Sequence, residues 1–473
     1  MRLSLVFPRW TEVFGSFSNV ARGTSIFPPT NLTYLAAIAE KEGHDVQLID
    51  GEAEFLNISQ MVKNVKDFKP DLIGITSTTP TFHVAEEQAK AFKEVMNIPI
   101  ISGGPHITHF KEKVFSNSFD FFVIGQCEGT FGKILDYIEN NKDLTEIPGL
   151  LLRKNGDVVF TGENPQFYGL DDAPFPARNL LKNELYQFGT LKGRKIFTTI
   201  MTSRGCPYKC VFCYTDIYGS KVRTRSVENV ISELKHIIYD LGIDHIYFLD
   251  ETLTLNRKYV MKLCEAIENE NLKFTWEGST RADMVDEELI SKMAKNGLIR
   301  LAYGLETADL KVREIIKKKV PLDSYISANE LTNKYGIETI NSVMLGLPGD
   351  TYEGINSTIK FVRNARAIKH ATFGIAIPYP GSEMYEMAKK GEHGLKLLTE
   401  DFSKYQRYNS AVMSVNGMSP EELLRLQKKG LMKIYLVPWR IIPVIKRFGL
   451  GTLIKPFLLS IKEFFNFKKR NIA

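Results

Sequence analysis

The chain has little cysteine. Five occur in 473 residues, and three of the five fall within eight positions. That leaves no material for a disulfide framework, and a reducing cytosol is the expected compartment. No apolar run reaches the roughly 18 to 20 residues that would span a bilayer. The N-terminal run Met1-Arg-Leu-Ser-Leu-Val-Phe-Pro is too short for a secretory signal and reads as a first strand. Net charge is also scarce outside the last segment. Of the formal +6, residues Leu431 to Ala473 carry +8, from nine bases against the single acid Glu463, which leaves −2 for everything before them. A body of that balance has no nucleic-acid footprint. Contents of 44% hydrophobic and 25% charged residues are those of an ordinary globular protein, and the length calls for two or three domains.

What is present is concentrated in one stretch, Thr202-Ser-Arg-Gly-Cys206-Pro-Tyr-Lys-Cys210-Val-Phe-Cys213-Tyr214. Three thiolates at this spacing suit a metal site. A structural zinc would want a fourth Cys or His nearby, whereas a [4Fe–4S] cluster on three cysteines keeps one iron open for an outside ligand. The other two cysteines, Cys127 and Cys264, read as packing.

Residues 1–145 alternate strand and helix. Short apolar runs at Leu3–Val6, Val46–Ile49, Leu72–Thr76, Ile98–Ser102 and Phe121–Ile124 are separated by helical patterns over Asn31–Glu42, Ile58–Phe68 and about His83–Val95. This cadence predicts a doubly wound parallel sheet, Rossmann-like, with ligands at the C-terminal strand ends. Those ends carry Asp50-Gly51-Glu52, Thr76-Ser77-Thr78-Thr79-Pro80, Gly103-Gly104-Pro105-His106 and Gly125-Gln126-Cys127-Glu128. His83, His106 and His109 are read as polar surface residues.

Residues 146–195 form a hairpin about Asn155-Gly156 and a proline-stiffened linker, Asp171–Arg178. From 196 to 415 the alternation resumes with six strand and helix units, the count of a partial (β/α)6 barrel. Its strand ends carry Asp250 and Glu251, then Glu277, Ser279 and Arg281, then Glu306, Gly346-Leu-Pro-Gly349 and Pro378-Tyr-Pro-Gly381. Residues 416–473 read as a helical, basic C-terminal region. Its aromatic and apolar side chains in helical register with cations suit an anionic membrane surface, or else a helix packed over the barrel.

The cysteine loop resembles the radical S-adenosylmethionine superfamily, whose Cys-x3-Cys-x2-Cys signature is matched by Cys206, Cys210 and Cys213. Phe212 stands where that family commonly has an aromatic beside the adenine. The resemblance implies that the open iron chelates the methionine moiety and that reductive cleavage of the sulfonium gives a 5′-deoxyadenosyl radical. It further implies Glu251 for the ammonium, and Arg281 and Glu306 for the carboxylate and ribose, with fork geometry making Arg suitable for a carboxylate.

Followed by this signature, the first half resembles the cobalamin-binding domain of the cobalamin-dependent radical enzymes. By that resemblance Ser77, Thr78, Gly103, Gly104 and Glu128 line the cofactor, with the nucleotide tail near Gly103 and Gly104. Two departures stand out. The Asp-x-His-x-x-Gly motif is absent, since Pro8–Phe17 holds no histidine, and Gly125-Gln-Cys-Glu128 replaces the usual Gly-Glu-Gly-Glu. No protein histidine is therefore expected on cobalt.

The branch it looks most like contains anaerobic magnesium-protoporphyrin ester cyclase and the hopanoid methylases. That implies methylation of an unactivated carbon on a lipid-like or membrane-associated substrate, or alternatively oxidation, cyclisation or carbon–carbon coupling with the same cofactors. A low-potential electron donor is the implied partner. The tail would give peripheral contact at the inner face of the membrane.

Overall fold

Short runs of apolar residues, flanked by polar turns, form strands buried on both faces when helices cover a parallel sheet. The computed structural model describes residues 1–11, 26–167, 169–190, 193–215, 217–406 and 410–441, and it contains two large sheets, the first with central strands buried on both faces. In the first, β1 (Arg2–Phe7), β2 (Asp45–Asp50), β3 (Leu72–Thr76), β4 (Ile100–Gly103) and β5 (Phe121–Val123) are joined by β6 (Leu150–Lys154) and β7 (Asp157–Phe160). Their order is β2-β1-β3-β4-β5-β6-β7. The first five pair in parallel, and β6 and β7 add antiparallel. The hairpin therefore extends the first sheet. Its turn works because Asn155 and Gly156 both take positive φ, +52° and +94°.

The second sheet is β8 (Thr198–Ile200), β9 (His245–Phe248), β10 (Thr275–Thr280), β11 (Leu298–Glu306), β12 (Glu338–Leu345) and β13 (Ala371–Ile375), in sequence order and wholly parallel. This is the expected open six-stranded barrel. β8 ends at Ile200, and just beyond it the Thr202 N–H donates to the Asp250 carboxylate at 3.1 Å.

Three contacts fix the linker between the sheets. The Asp171 carboxylate accepts from the Ser226 N–H at 3.0 and 3.1 Å, at the start of the helix Val227–Lys235. Glu233, fully buried on that helix, lies between Arg178 of the linker and Arg225. Burial alone would raise the Glu233 carboxyl, but the two guanidinium groups hold it below its ordinary value. Farther along, the Tyr186 hydroxyl donates to Asp50 Oδ2 at 2.7 Å, tying the linker to the end of β2. Burial pushes the Asp50 carboxyl up to about 6, against the bonds it accepts.

The helix Pro420–Tyr435 covers the last strands. Its Ser419 and Glu422 form a capping box, and Gln427 donates to the Phe373 carbonyl at 2.7 Å. Arg440, counted above among the tail's cations, is buried and donates to the carbonyls of Val362, Ile368 and Ile434. The start of the basic tail is thus packed on the barrel. The rest, residues 442–473, lies outside the described residues. Among the described residues no helix is long and apolar enough to cross a membrane.

Replacing Glu233 with Ala strands two buried guanidinium groups, and we expect about 3–5 kcal/mol of lost stability, read as a lowered denaturation midpoint. A loss no larger than that of an exposed pair would refute the clamp. For Asp50 the folded pKa lies above the unfolded one, so its contribution is present below the ordinary carboxylate range and lost as pH rises through about 6. Asp50→Asn should remove this loss, so that its stability relative to the parent grows between about pH 4 and 6. Parallel stability profiles would contradict the burial argument.

Candidate active site

Asp250 carries the first step of the site. It is buried at the end of β9 and accepts from Thr202 Oγ1 at 2.6 Å and Ser203 Oγ at 2.5 Å as well as from the Thr202 N–H. These bonds take the chain out of β8 and into the cysteine loop in one direction. Gly205 follows with φ +97°, where a Cβ would stand 2.5 Å from the Lys221 carbonyl oxygen, so only glycine passes. The Cys213 N–H then donates to the Cys210 carbonyl at 3.0 Å, and the Val211 N–H to that of Ile316 at 3.3 Å. The Val211 carbonyl in turn accepts from the Met384 N–H at 2.8 Å. The loop is pinned between residues far apart in the chain.

Its three thiols are unpaired as disulfides, with Cys206 and Cys210 half-buried and Cys213 exposed. Burial, then the neighbouring cysteines, raises the Cys213 thiol to about 11, and burial raises Cys210. Three thiols this close resist ionising together unless a cation compensates them, which is what coordinated iron does. Among the described residues no group of three or more His, Cys, Asp or Glu is gathered to hold a metal ion. Three cysteines without a fourth Cys or His nearby are the donor set of an iron–sulfur cluster rather than of a structural zinc.

The barrel residues expected around the loop are brought to its rim with partners. Arg281 stacks on Tyr208 of the loop, 3.8 Å from the ring centroid, and is held by Asp283 through two bonds of 3.0 and 2.7 Å. Glu306, at the end of β11 with φ +62°, faces the buried Lys318 ammonium at 3.5 Å. Glu251 stands at the rim next to Asp250, and desolvation of its carboxyl group pushes the pKa up. Phe212 packs against the barrel core. Glu277 lies within its strand and serves His245 at 2.8 Å and Arg300 at 3.3 Å, a structural cluster.

A cavity of about 520 Å3 lies where the C-terminal ends of the two sheets meet, a size within the range of small-molecule sites. Phe7, Asp50, Thr76, Ser77 and Thr78 reach it from the first sheet, Met201, Leu249 and Tyr379 from the barrel side, and Phe27, Tyr34, Tyr218 and Tyr405 are among its walls. Ser77 is buried and its hydroxyl has no hydrogen-bond partner, an orphan that a bound polar group would satisfy. Thr78 closes the adjoining turn through Thr81. Gly103 and Gly104 lie beside this edge. At Gly104 the fold itself demands glycine, since φ is +126° and a Cβ would stand 2.0 Å from the Ser77 carbonyl oxygen. These features fit a large polar cofactor laid against the strand ends.

Glu128 also lines the cavity, but its carboxylate is bound to Arg204 at 2.6 Å. Arg204 was not anticipated from the sequence. Its place two residues before Cys206 was the available signal. His106, expected at the surface, is instead buried against Phe82, Phe110 and Phe402, with its Nδ1 unpartnered and its pKa lowered by burial to about 4. Cys127 and Cys264 pack as expected.

Comparison with known proteins agrees with this arrangement. Residues 200–362 match the Radical SAM superfamily and residues 19–135 the B12 binding domain. A Pyrococcus horikoshii protein described as an uncharacterized methyltransferase, PH0819, is 35% identical over 415 residues, covering 87% of this chain and 88% of that one. The anaerobic magnesium-protoporphyrin IX monomethyl ester cyclase of Rubrivivax gelatinosus is 26% identical, covering 84% of this chain and 72% of its own. The fold is shared with the radical S-adenosylmethionine methyltransferase TsrM from Kitasatospora setae, at a TM-score of 0.71 and 16% identity over 92% of this chain and 89% of that one. The chain belongs to the B12-binding radical S-adenosylmethionine family, and it is an enzyme whose cofactors are a [4Fe–4S] cluster, S-adenosylmethionine and cobalamin.

Proposed function

We propose that the enzyme transfers a methyl group to an unactivated carbon. The observation that carries this reading is a cavity onto which strand ends of both sheets open. A radical source and a methyl donor must act on one carbon, and such a cavity lets them do so without the intermediate meeting bulk water. The relative described as a methyltransferase supports it.

In this reading Cys206, Cys210 and Cys213 hold the cluster, Ser77 and Thr78 line the cobalamin site, and the Gly103–Gly104 edge receives the nucleotide tail. When bound, the cluster supplies the electron that splits the sulfonium of S-adenosylmethionine, and cobalamin carries the methyl group. The chain's own groups position and enclose. Asp250 fixes the loop's direction, Phe212 offers a face for the adenine, and Glu251 offers a carboxylate for the ammonium. Glu306 faces the ribose, while Arg281, already gripped by Asp283, gives the carboxylate only its remaining N–H donors. Tyr34, Tyr218, Tyr379 and Tyr405 give the cavity aromatic walls, suited to an apolar substrate.

A lipid-like substrate is the finer part of the proposal. At the end of the last helix and just past it Met432, Leu436 and Trp439 are exposed at 53%, 60% and 39%, and Arg425, Lys428 and Lys433 of the helix are exposed as well. Apolar side chains bordered by cations suit an anionic bilayer. The cyclase relative favours a second reading, ring closure or oxidation without methyl transfer.

Incubation with reductant, hydroxocobalamin, a lipid extract and S-adenosylmethionine labelled in its methyl group separates the two readings. Label in a lipid product together with S-adenosylhomocysteine is expected, and 5′-deoxyadenosine with unlabelled product would favour the second. Each of Cys206→Ala, Cys210→Ala and Cys213→Ala should lose the cluster and all 5′-deoxyadenosine; retained iron and turnover would refute the ligand assignment. Removing residues 442–473 and replacing Leu436 and Trp439 with Ser should abolish flotation with phosphatidylglycerol vesicles, and unchanged flotation would count against membrane contact.

A further inference from the structure

The segment Gln126–Glu128, at the end of β5, is bonded to both ends of the cysteine loop. Before the loop, Arg204 Nη1 donates to Glu128 Oε1 at 2.6 Å and to Gln126 Oε1 at 3.2 Å. After it, Gln126 Nε2 donates to the Ile217 carbonyl at 2.7 Å, and Gln126 Oε1 also accepts from Arg223 at 3.3 Å. Arg223 donates onward to the Tyr218 carbonyl at 2.8 Å and to that of Phe167. The Arg204 guanidinium lies between the rings of Tyr34 and Tyr218, 5.4 and 5.3 Å from their centroids. The Arg204 and Glu128 side chains are only 4% and 13% exposed.

An ion pair in this setting is unlike a rim contact. Exposed pairs hold little, because water screens them and long side chains resist being fixed. Here both charges are largely desolvated, and the guanidinium is enclosed by aromatic faces, so separating them would leave a buried charge unpaired. The pair is therefore stiff, and its two ends belong to different parts of the machinery. Arg204 is two residues from Cys206, and Glu128 belongs to the first sheet's cavity edge.

We propose that Arg204 and Glu128 are positioning residues that set the spacing between the cluster loop and the cobalamin-binding sheet. Neither needs to touch a reacting atom. The inference rests on the cofactor placement given under Proposed function, and it adds that the separation of the two centres is fixed by this pair rather than by the linker alone. Arg178 and Glu233 tie the linker to the barrel, whereas Arg204 and Glu128 act at the loop itself.

The test is the distance between the reduced cluster and cob(II)alamin, measured by pulsed electron paramagnetic resonance on the full-length protein reconstituted with iron, sulfide and hydroxocobalamin. The parent should give one narrow distance. Glu128→Gln and Arg204→Gln should keep iron and corrin but lose the single distance to a broad distribution, and Arg204→Lys, which keeps the charge, should recover part of it. A narrow, unshifted distance in both Gln variants would overturn the proposal. So would loss of iron from the conservative Glu128→Gln, since the pair would then be needed to fold the loop rather than to space it. If the parent itself binds no cluster or no corrin, the functional reading fails first. If the parent binds both and the variants match it, only the positioning role falls.

Discussion

A parallel sheet with helical crossovers delivers all its strand-to-helix loops to one end, so any chemistry it supports is confined to the C-terminal edge. This chain contains two such sheets, and their C-terminal edges open onto the same cavity. That apposition is the constraint on which the rest depends. The cysteine loop, the Ser77 edge and the aromatic walls are useful together only while the two edges face one another.

Buried charge maintains the apposition. Glu233 takes one guanidinium from the linker and one from Arg225, while Asp171 holds the N-terminus of the same helix. On the cavity side Glu128 takes Arg204. Many other ion pairs, such as Lys63 with Asp67, are exposed and contribute little. The buried ones are expensive to break and geometrically strict, which suits an interface that has to keep a separation rather than merely stay closed. Aromatic contacts such as Phe27 with Tyr247 and His106 with Phe402 pack the halves together, and the desolvated ion pairs add directional contacts to that packing.

The sequence discloses whatever is local. Three thiols within eight residues are a pattern that spacing alone reveals, and strands such as Leu72–Thr76 are visible because both faces are apolar. Contacts between distant residues are not disclosed. Arg204 and Glu128 are 76 positions apart, and Arg178 and Glu233 are 55 apart, so no periodicity reports them. The same limit explains His106. In sequence it is a polar residue after Gly103-Gly104-Pro105, and only the return of Phe402 from the C-terminal segment shows that it is enclosed. Arg440 is similar, a cation in a basic tail whose guanidinium is spent on backbone carbonyls. Arg281 differs in kind, because its partner Asp283 is only two residues away and could have been read as its competitor.

The proposed chemistry requires three thiols to hold an iron cluster beside a corrin. Anaerobic purification, with metal analysis and an absorption spectrum of the same sample, examines that most directly. Iron and sulfide in equal amounts, an iron–sulfur absorption lost on reduction, and separate corrin bands after hydroxocobalamin is supplied are the expected result. Protein that carries zinc at the three cysteines, or that takes up iron but leaves the corrin unbound, would contradict it.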